Sequence, residues 1–332
     1  MRRFTRYIAM FVGILVVIYL LGPKPTRPML NNDLPTVPSE LHLIERTVLE
    51  RESSLPIRPD NQARFLWAAD SAPSRTEWSL LYLHGFSASW YEGYPVNFKF
   101  AETFGMNAYL PRLADHGLQG GDPLLEMTPD ALWESAKESL LIARKMGKKV
   151  VVMGTSTGAT LALKLAAEFP EYVDALILYS PNIKINNPAA FLLSKPWGLQ
   201  IARKVYKGKY RVVNDDFESK ECQYWYCSYR LEAVVYLQQL VESTMRDELF
   251  AKISVPVFLG YYYKNHDEQD QIVRVDASQR MFQLLNTPAD MKREVAFPEA
   301  SNHVLTSEIL SESINEVTAA TLQFGLDILK LK

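Results

Sequence analysis

Residues 151–163 read VVMGTSTGATLAL. A run of β-branched and apolar residues stops on Gly154, shows Ser156, meets Gly158 and passes straight into an Ala/Leu-rich segment. β-Branched residues favour strands, and Ala and Leu favour helices. The stretch therefore predicts a strand, a very short turn and a helix. Two glycines, each two residues from the serine, place Ser156 at the apex of a tight turn. The question is whether Ser156 is a nucleophile or a turn residue.

The surrounding chain repeats the same alternation. WSLLYLHGF predicts a buried strand ending in a glycine turn, YPVNFKFAETF a helix and MNAYLPR a strand. Thr128 stands as an N-cap before Pro129 and a helical apolar pattern. After KKVVVMG, ATLALKLAAEF and DALILYSP, the rhythm breaks at residues 183–250, an aromatic, lysine-rich stretch with a helical look. It returns with VPVFLGYYY (strand), VDASQRMFQLL (helix) and KREVAFP (strand), and a final helix is expected from about Asn302. Upstream, RTVLERE near Val48 and ARFLWAA near Phe65 read as two early strands. Strands alternating with helices imply an α/β fold, a mostly parallel sheet covered on both faces. The broken section is then an insertion at the carboxyl ends of the strands, where such folds bind ligands.

The first residues differ from the rest. Arg2, Arg3 and Arg6 precede a charge-free apolar run over residues 7–23. That pattern predicts a signal anchor over residues 1–22, a transmembrane segment with no good cleavage site after it, or else a cleaved secretory signal. The arginines would keep the N-terminus inside and place the rest of the chain outside the cytoplasm, on the periplasmic or extracellular side, or secreted if cleaved. Residues 23–40 are proline-rich and read as an extended linker. The folded domain is expected over 41–332. A net charge of −2 points away from nucleic acid. Cys222 and Cys227 are either a disulfide or two unpaired thiols.

A serine hydroxyl needs an imidazole to take its proton, a carboxylate to hold that imidazole and donors for the oxyanion. The strand–G-x-S-x-G–helix context supplies the serine, and the N–H of Thr157 at the helix start supplies one donor. The glycine turn after WSLLYLHGF points to the N–H of Phe86 as the second. In the expected order Ser, acid, His, the histidines downstream of Ser156 are His266 and His303. His303 follows the last strand and is preferred. The acid must come from KNHDEQDQIVRV, which offers Asp267, Glu268 and Asp270. Asp270, just before Ile272 and Val273, is preferred on spacing, and the alternatives stay open. His84 and His116 read as structural.

LYLHGFSAS, NAYLPRLADHG, GTSTG, the D-Q-I-V loop and NH-V together resemble an α/β-hydrolase of the serine esterase and monoacylglycerol lipase type. The resemblance covers roughly residues 80–332. It implies a Ser156–Asp270–His303 triad, an oxyanion hole from the Phe86 and Thr157 N–H groups, a cap in residues 183–250 and no cofactor or metal. Two features depart from the pattern: threonine fills both x positions of GTSTG, and Ala114-Asp115 stands where proline or glycine is usual. The implied activity is hydrolysis of a small-molecule or lipid ester, with amidase, peptidase or thioesterase chemistry and a silent binding module as alternatives. The aromatics Phe191, Trp197, Tyr206, Tyr210, Tyr224, Trp225, Tyr226, Tyr229 and Tyr236 would give the cap an apolar underside.

Overall fold

The computed structural model describes residues 2–69 and 73–332. The elements, in chain order, are α1 (Arg2–Leu20), α2 (Leu41–Ser53), β1 (Arg64–Leu66), β2 (Thr76–Leu83), α3 (Val96–Thr103), β3 (Asn107–Leu110), α4 (Pro129–Met146), β4 (Gly147–Thr155), α5 (Thr157–Glu168) and β5 (Ala175–Tyr179). There follow α6 (Gly198–Val205), β6 (Tyr210–Val212), α7 (Lys220–Tyr224), β7 (Ser228–Arg230), α8 (Leu231–Thr244), α9 (Asp247–Phe250), β8 (Val257–Tyr261), α10 (Val275–Leu284), β9 (Lys292–Ala296) and α11 (Ile314–Asp327).

Seven strands form one sheet in the order β1-β3-β2-β4-β5-β8-β9. All neighbours run parallel except β1, which lies antiparallel on β3. The period-2 alternation divides the core into two layers. Leu81, Leu83, Val150, Val152, Leu176, Leu178 and Leu259 face Trp133 and Leu140 of α4 and Leu161 and Leu165 of α5. Leu80, Tyr82, Val151, Met153, Ile177, Tyr179 and Phe258 face Phe100 of α3 and Val317 and Phe324 of α11. The expected mostly parallel, two-faced sheet is the one observed, and residues between β5 and β8 carry a separate two-stranded ladder of β6 and β7.

Two local expectations are corrected. RTVLERE lies in α2, not in a strand: Ile44, Val48 and Glu52 recur every fourth residue and are buried, so helical periodicity overrides β-branched content. The final helix starts at Ile314, not near Asn302. Side chains hold the preceding segment as loop: Asn302, Ser307 and Ser311 accept from the N–H groups of Val304, Ile309 and Ser313, two residues on. Such local bonds compete with the helix.

The expected anchor is also corrected. Among the described residues no helix is long and apolar enough to cross a membrane. α1 ends at Leu20 before Gly22 and Pro23. Past Arg6 it keeps about 14 residues, roughly 21 Å at 1.5 Å per residue, against ~30 Å of hydrocarbon. The transmembrane and signal-anchor reading, the membrane as partner, and the localisation outside the cytoplasm inferred from them fall together.

Residues 23–38 hold no helix or strand and lie along α4 and α8. Asp130 Oδ1 accepts from the N–H groups of Met29 and Leu30 at 2.9 and 2.6 Å. Trp133 Nε1 and Lys137 Nζ donate to Asn31 O at 2.7 and 2.8 Å, and the Lys137 ammonium also reaches Asp33 O. Gln239 of α8 donates to Thr26 O at 2.6 Å.

A buried ion pair ties α2 to the loop after β3. Arg112 grips Glu52 at 2.9–3.2 Å and donates to His116 O at 2.9 Å, while Glu52 Oε2 accepts from Ala63 N at 2.9 Å. Both side chains are 7% exposed. Removing one partner strands the other's charge, so Arg112→Met is expected to lower unfolding free energy by about 3–5 kcal/mol. Adding Glu52→Met should recover part of that loss. Urea titration of both variants checks this; strictly additive losses would remove the coupling.

Candidate active site

Ser156 caps α5 with φ 53° and ψ −113°, a conformation costing a non-glycine residue about 1–3 kcal/mol. The two glycines make that turn sterically available. A Cβ on Gly154 would stand 2.6 Å from the Gly158 carbonyl carbon, and one on Gly158 only 1.9 Å from Leu83 O. The helix start is thus pressed against the ends of β4 and β2. Ser156 N donates to Tyr179 O at 2.9 Å, and Ser156 O accepts from Thr160 N and Asn182 N at 3.1 and 3.2 Å. Strain is held by a well-bonded backbone, and the side chain is presented to a cleft.

Asp270 and His303 come from the loops after β8 and β9 and meet, with Asp270 Oδ2 2.6 Å from His303 Nδ1. The other oxygen of Asp270 accepts from Ile272 N and Val273 N at 2.8 and 3.0 Å. Ser180 Oγ donates to His303 O at 2.8 Å. Burial favours the neutral carboxyl of Asp270, but the imidazole and the two N–H donors outweigh it and hold its pKa below the usual value. Burial likewise disfavours the imidazolium of His303, yet Asp270 and then Glu92 raise its pKa overall. With Nδ1 bonded to Asp270, Nε2 is the nitrogen left to exchange a proton. His303 and Ser156 line the same cleft. Asp267 and Glu268 do not reach the imidazole: both are exposed and engage Asn265 beside them. His266 is exposed in that same loop.

Thr157 is the first residue of α5, and Phe86 lines the cleft after Gly85. Two histidines brace this turn. His84 Nε2 accepts from Leu113 N and His116 Nε2 from Ser87 N, each at 3.1 Å, while their Nδ1 atoms lie 2.9 Å from the carbonyls of Gly85 and Ala114. That pattern requires neutral rings protonated on Nδ1. Burial lowers His84 to about 4 and His116 well below its ordinary value. Asp115, at φ 61°, takes the left-handed position that the sequence departure put in question.

The cleft has a volume of about 850 Å³. Of the aromatics expected over it, only Tyr206, Trp225 and Tyr229 reach it, and amides of Asn182, Asn186, Asn187, Gln269 and Gln271 share the wall. Tyr224 stacks on Tyr91, and Trp197 donates to Ile18 O. Cys222 and Cys227 form a disulfide.

Sequence reasoning missed Glu92. It is 2% exposed, yet it lines the cleft. The signal was there: one carboxylate inside the aromatic run WYEGY. A lone acid in an apolar stretch is either a solvated turn or a buried functional group.

Comparison with known proteins bears on the fold and the family. No curated protein sequence matches the chain. Among solved structures it resembles that of metagenome-derived lipolytic enzymes (TM-score 0.63, 15% identity, covering 81% of this chain and 98% of that one). It also resembles Est1E from Butyrivibrio proteoclasticus with ferulic acid bound (0.51, 17%, 81% and 95%). A third is a monoacylglycerol lipase from Paleococcus ferrophilus (0.51, 14%, 79% and 96%). The model of the alpha/beta hydrolase family matches residues 80–308, from the second strand of the sheet to just beyond His303, and the chain belongs to that family.

Proposed function

We propose that the protein is a serine hydrolase of carboxylic esters, with Ser156, His303 and Asp270 as its triad. The observation that carries this reading is the 2.6 Å Asp270–His303 bond in a cleft shared with a serine on a strained strand–helix turn. His303 Nε2 takes the proton of Ser156 as Oγ attacks the ester carbonyl. Asp270 holds the Nδ1–H tautomer and offsets the imidazolium charge. The N–H groups of Phe86 and Thr157 stabilise the tetrahedral oxyanion, each worth roughly 2.7–4 kcal/mol. His303 then protonates the leaving alcohol, and water repeats the sequence on the acyl-enzyme. No step calls for a cofactor. Residues 183–250 act as the cap over this site.

The cleft wall offers both kinds of partner: an apolar part in Phe86, Ile185, Tyr229, Val234 and Leu237, and the asparagine and glutamine amides among them. That mixture suits an apolar acyl group on a polar alcohol, as in a monoacylglycerol. The full-length protein should hydrolyse p-nitrophenyl esters and monoacylglycerols and be labelled by a fluorophosphonate. Comparing acyl chains of rising length sizes the apolar part. A folded protein with no turnover on any ester and no labelling would overturn the reading.

A further inference from the structure

Glu92 stands where the loops of the site converge. Its Oε2 accepts from Gly85 N at 2.6 Å and from Tyr82 OH at 3.1 Å. Tyr82 OH in turn lies 3.1 Å from Thr155 Oγ1, one residue before the nucleophile. Thr306, three residues after His303, donates its hydroxyl to Glu92 O at 2.8 Å. A Cβ placed on Gly85 would lie 2.7 Å from Glu92 Oε1 and 3.2 Å from Ser156 Cβ. Side-chain atoms of Glu92 and of Ser156 thus both crowd the position of Gly85.

Resting on the esterase reading, we infer that Glu92 is a positioning residue of the reaction: it holds the Gly85 N–H, in the peptide just before the Gly85–Phe86 peptide that presents the oxyanion donor, and from the same cleft it shares with Asp270 the positive charge that forms on His303. The two effects separate chemically. Holding Gly85 N–H needs an acceptor oxygen, whereas stabilising the imidazolium needs a negative charge. The groups facing Glu92 are Tyr82 from β2, Trp225 from the segment between β5 and β8, and His303 from the loop after β9. Burial keeps Tyr82 protonated. Burial also raises Glu92 to about 7, against the pull of Gly85 N–H, Tyr82 OH, His303 and the Trp225 indole. Its charge in turn raises His303.

The test is the pH profile of kcat and kcat/KM for wild type, Glu92→Gln and Glu92→Asp in the full-length protein, on a p-nitrophenyl ester. Glu92→Gln keeps an acceptor for Gly85 N–H and removes the charge. Its plateau kcat should fall about tenfold with little change in KM, and the acidic limb should move to lower pH by up to about one unit. The sign follows from the charge: without Glu92, His303 loses its proton at lower pH. Glu92→Asp keeps the charge on a shorter arm, so its limb should stay at the wild-type pH while kcat falls. If Glu92→Gln does not fold, Glu92→Asp decides alone. A limb moved down in Glu92→Asp overturns the inference, as does a Glu92→Gln profile equal to wild type. A wild type without turnover or fluorophosphonate labelling overturns the esterase reading and this inference together. An active wild type with an unmoved Glu92→Gln profile overturns the inference alone.

Discussion

Replacing Ser156 with alanine is expected to lower kcat by about 10⁶-fold and to abolish fluorophosphonate labelling. The size follows from the unit in which the residue works. Without Oγ there is no acyl-enzyme, and His303 has no hydroxyl to deprotonate. What survives is the rate that the oxyanion donors and the binding cleft provide to water, roughly 10³–10⁴ over the uncatalysed reaction. The fold should be intact, because Ala and Ser carry the same Cβ and the turn is held by backbone bonds to Tyr179, Thr160 and Asn182. Single-turnover kinetics beside a urea titration checks both parts. A variant that keeps more than a few per cent of wild-type turnover would remove Ser156 from the reaction.

Asp270→Asn is expected to cost about 10⁴-fold in kcat, with stability little changed. Asn Oδ1 can keep the bonds to Ile272 N and Val273 N. Its NH₂ then faces His303 Nδ1 and donates to it. That forces the imidazole proton onto Nε2, the atom that must accept the proton of Ser156. The ring is in place but carries its proton on the wrong side. Asp267→Asn and Glu268→Gln should leave kcat unchanged, since both residues are exposed, and Glu268 accepts from the Asn265 amide instead of reaching the imidazole. A loss that appeared in Asp267→Asn and not in Asp270→Asn would reassign the acid.

Much of the sheet could be read from the chain because strands between helices leave two strong marks, apolar runs and glycine turns. The placement of Ser156 rests on the same marks, for Gly154 and Gly158 are demanded by backbone contact. The pairing of Asp270 with His303 was approached through chain order, and spacing favoured Asp270 while leaving Asp267 open. What separates them is a loop geometry in which Ile272 and Val273 turn their N–H groups onto one carboxylate. Other features were not legible. Val48 sits in a helix because its partners at four-residue spacing are buried. The start of α11 was misplaced because serine and asparagine side chains divert the backbone. The anchor reading weighed the run of apolar residues and not where the helix stops. Glu92 escaped because the run WYEGY marks a carboxylate in apolar company without saying whether it is buried; its burial depends on the fold bringing Tyr82 and Gly85, and from 214 residues away Thr306, around it.

The segment lying along α4 and α8 bears on how the protein can be shortened. A fragment begun at Leu34 would discard the carbonyls of Asn31 and Asp33, which the Lys137 ammonium, wholly enclosed in the full chain, bonds, and leave it with Glu134 as its remaining acceptor. It would also free Asp130 from the Met29 and Leu30 N–H groups and Gln239 from Thr26. A deletion mutant intended for expression therefore has a natural boundary ahead of Thr26, and cutting later trades a shorter chain for an exposed seam along two helices.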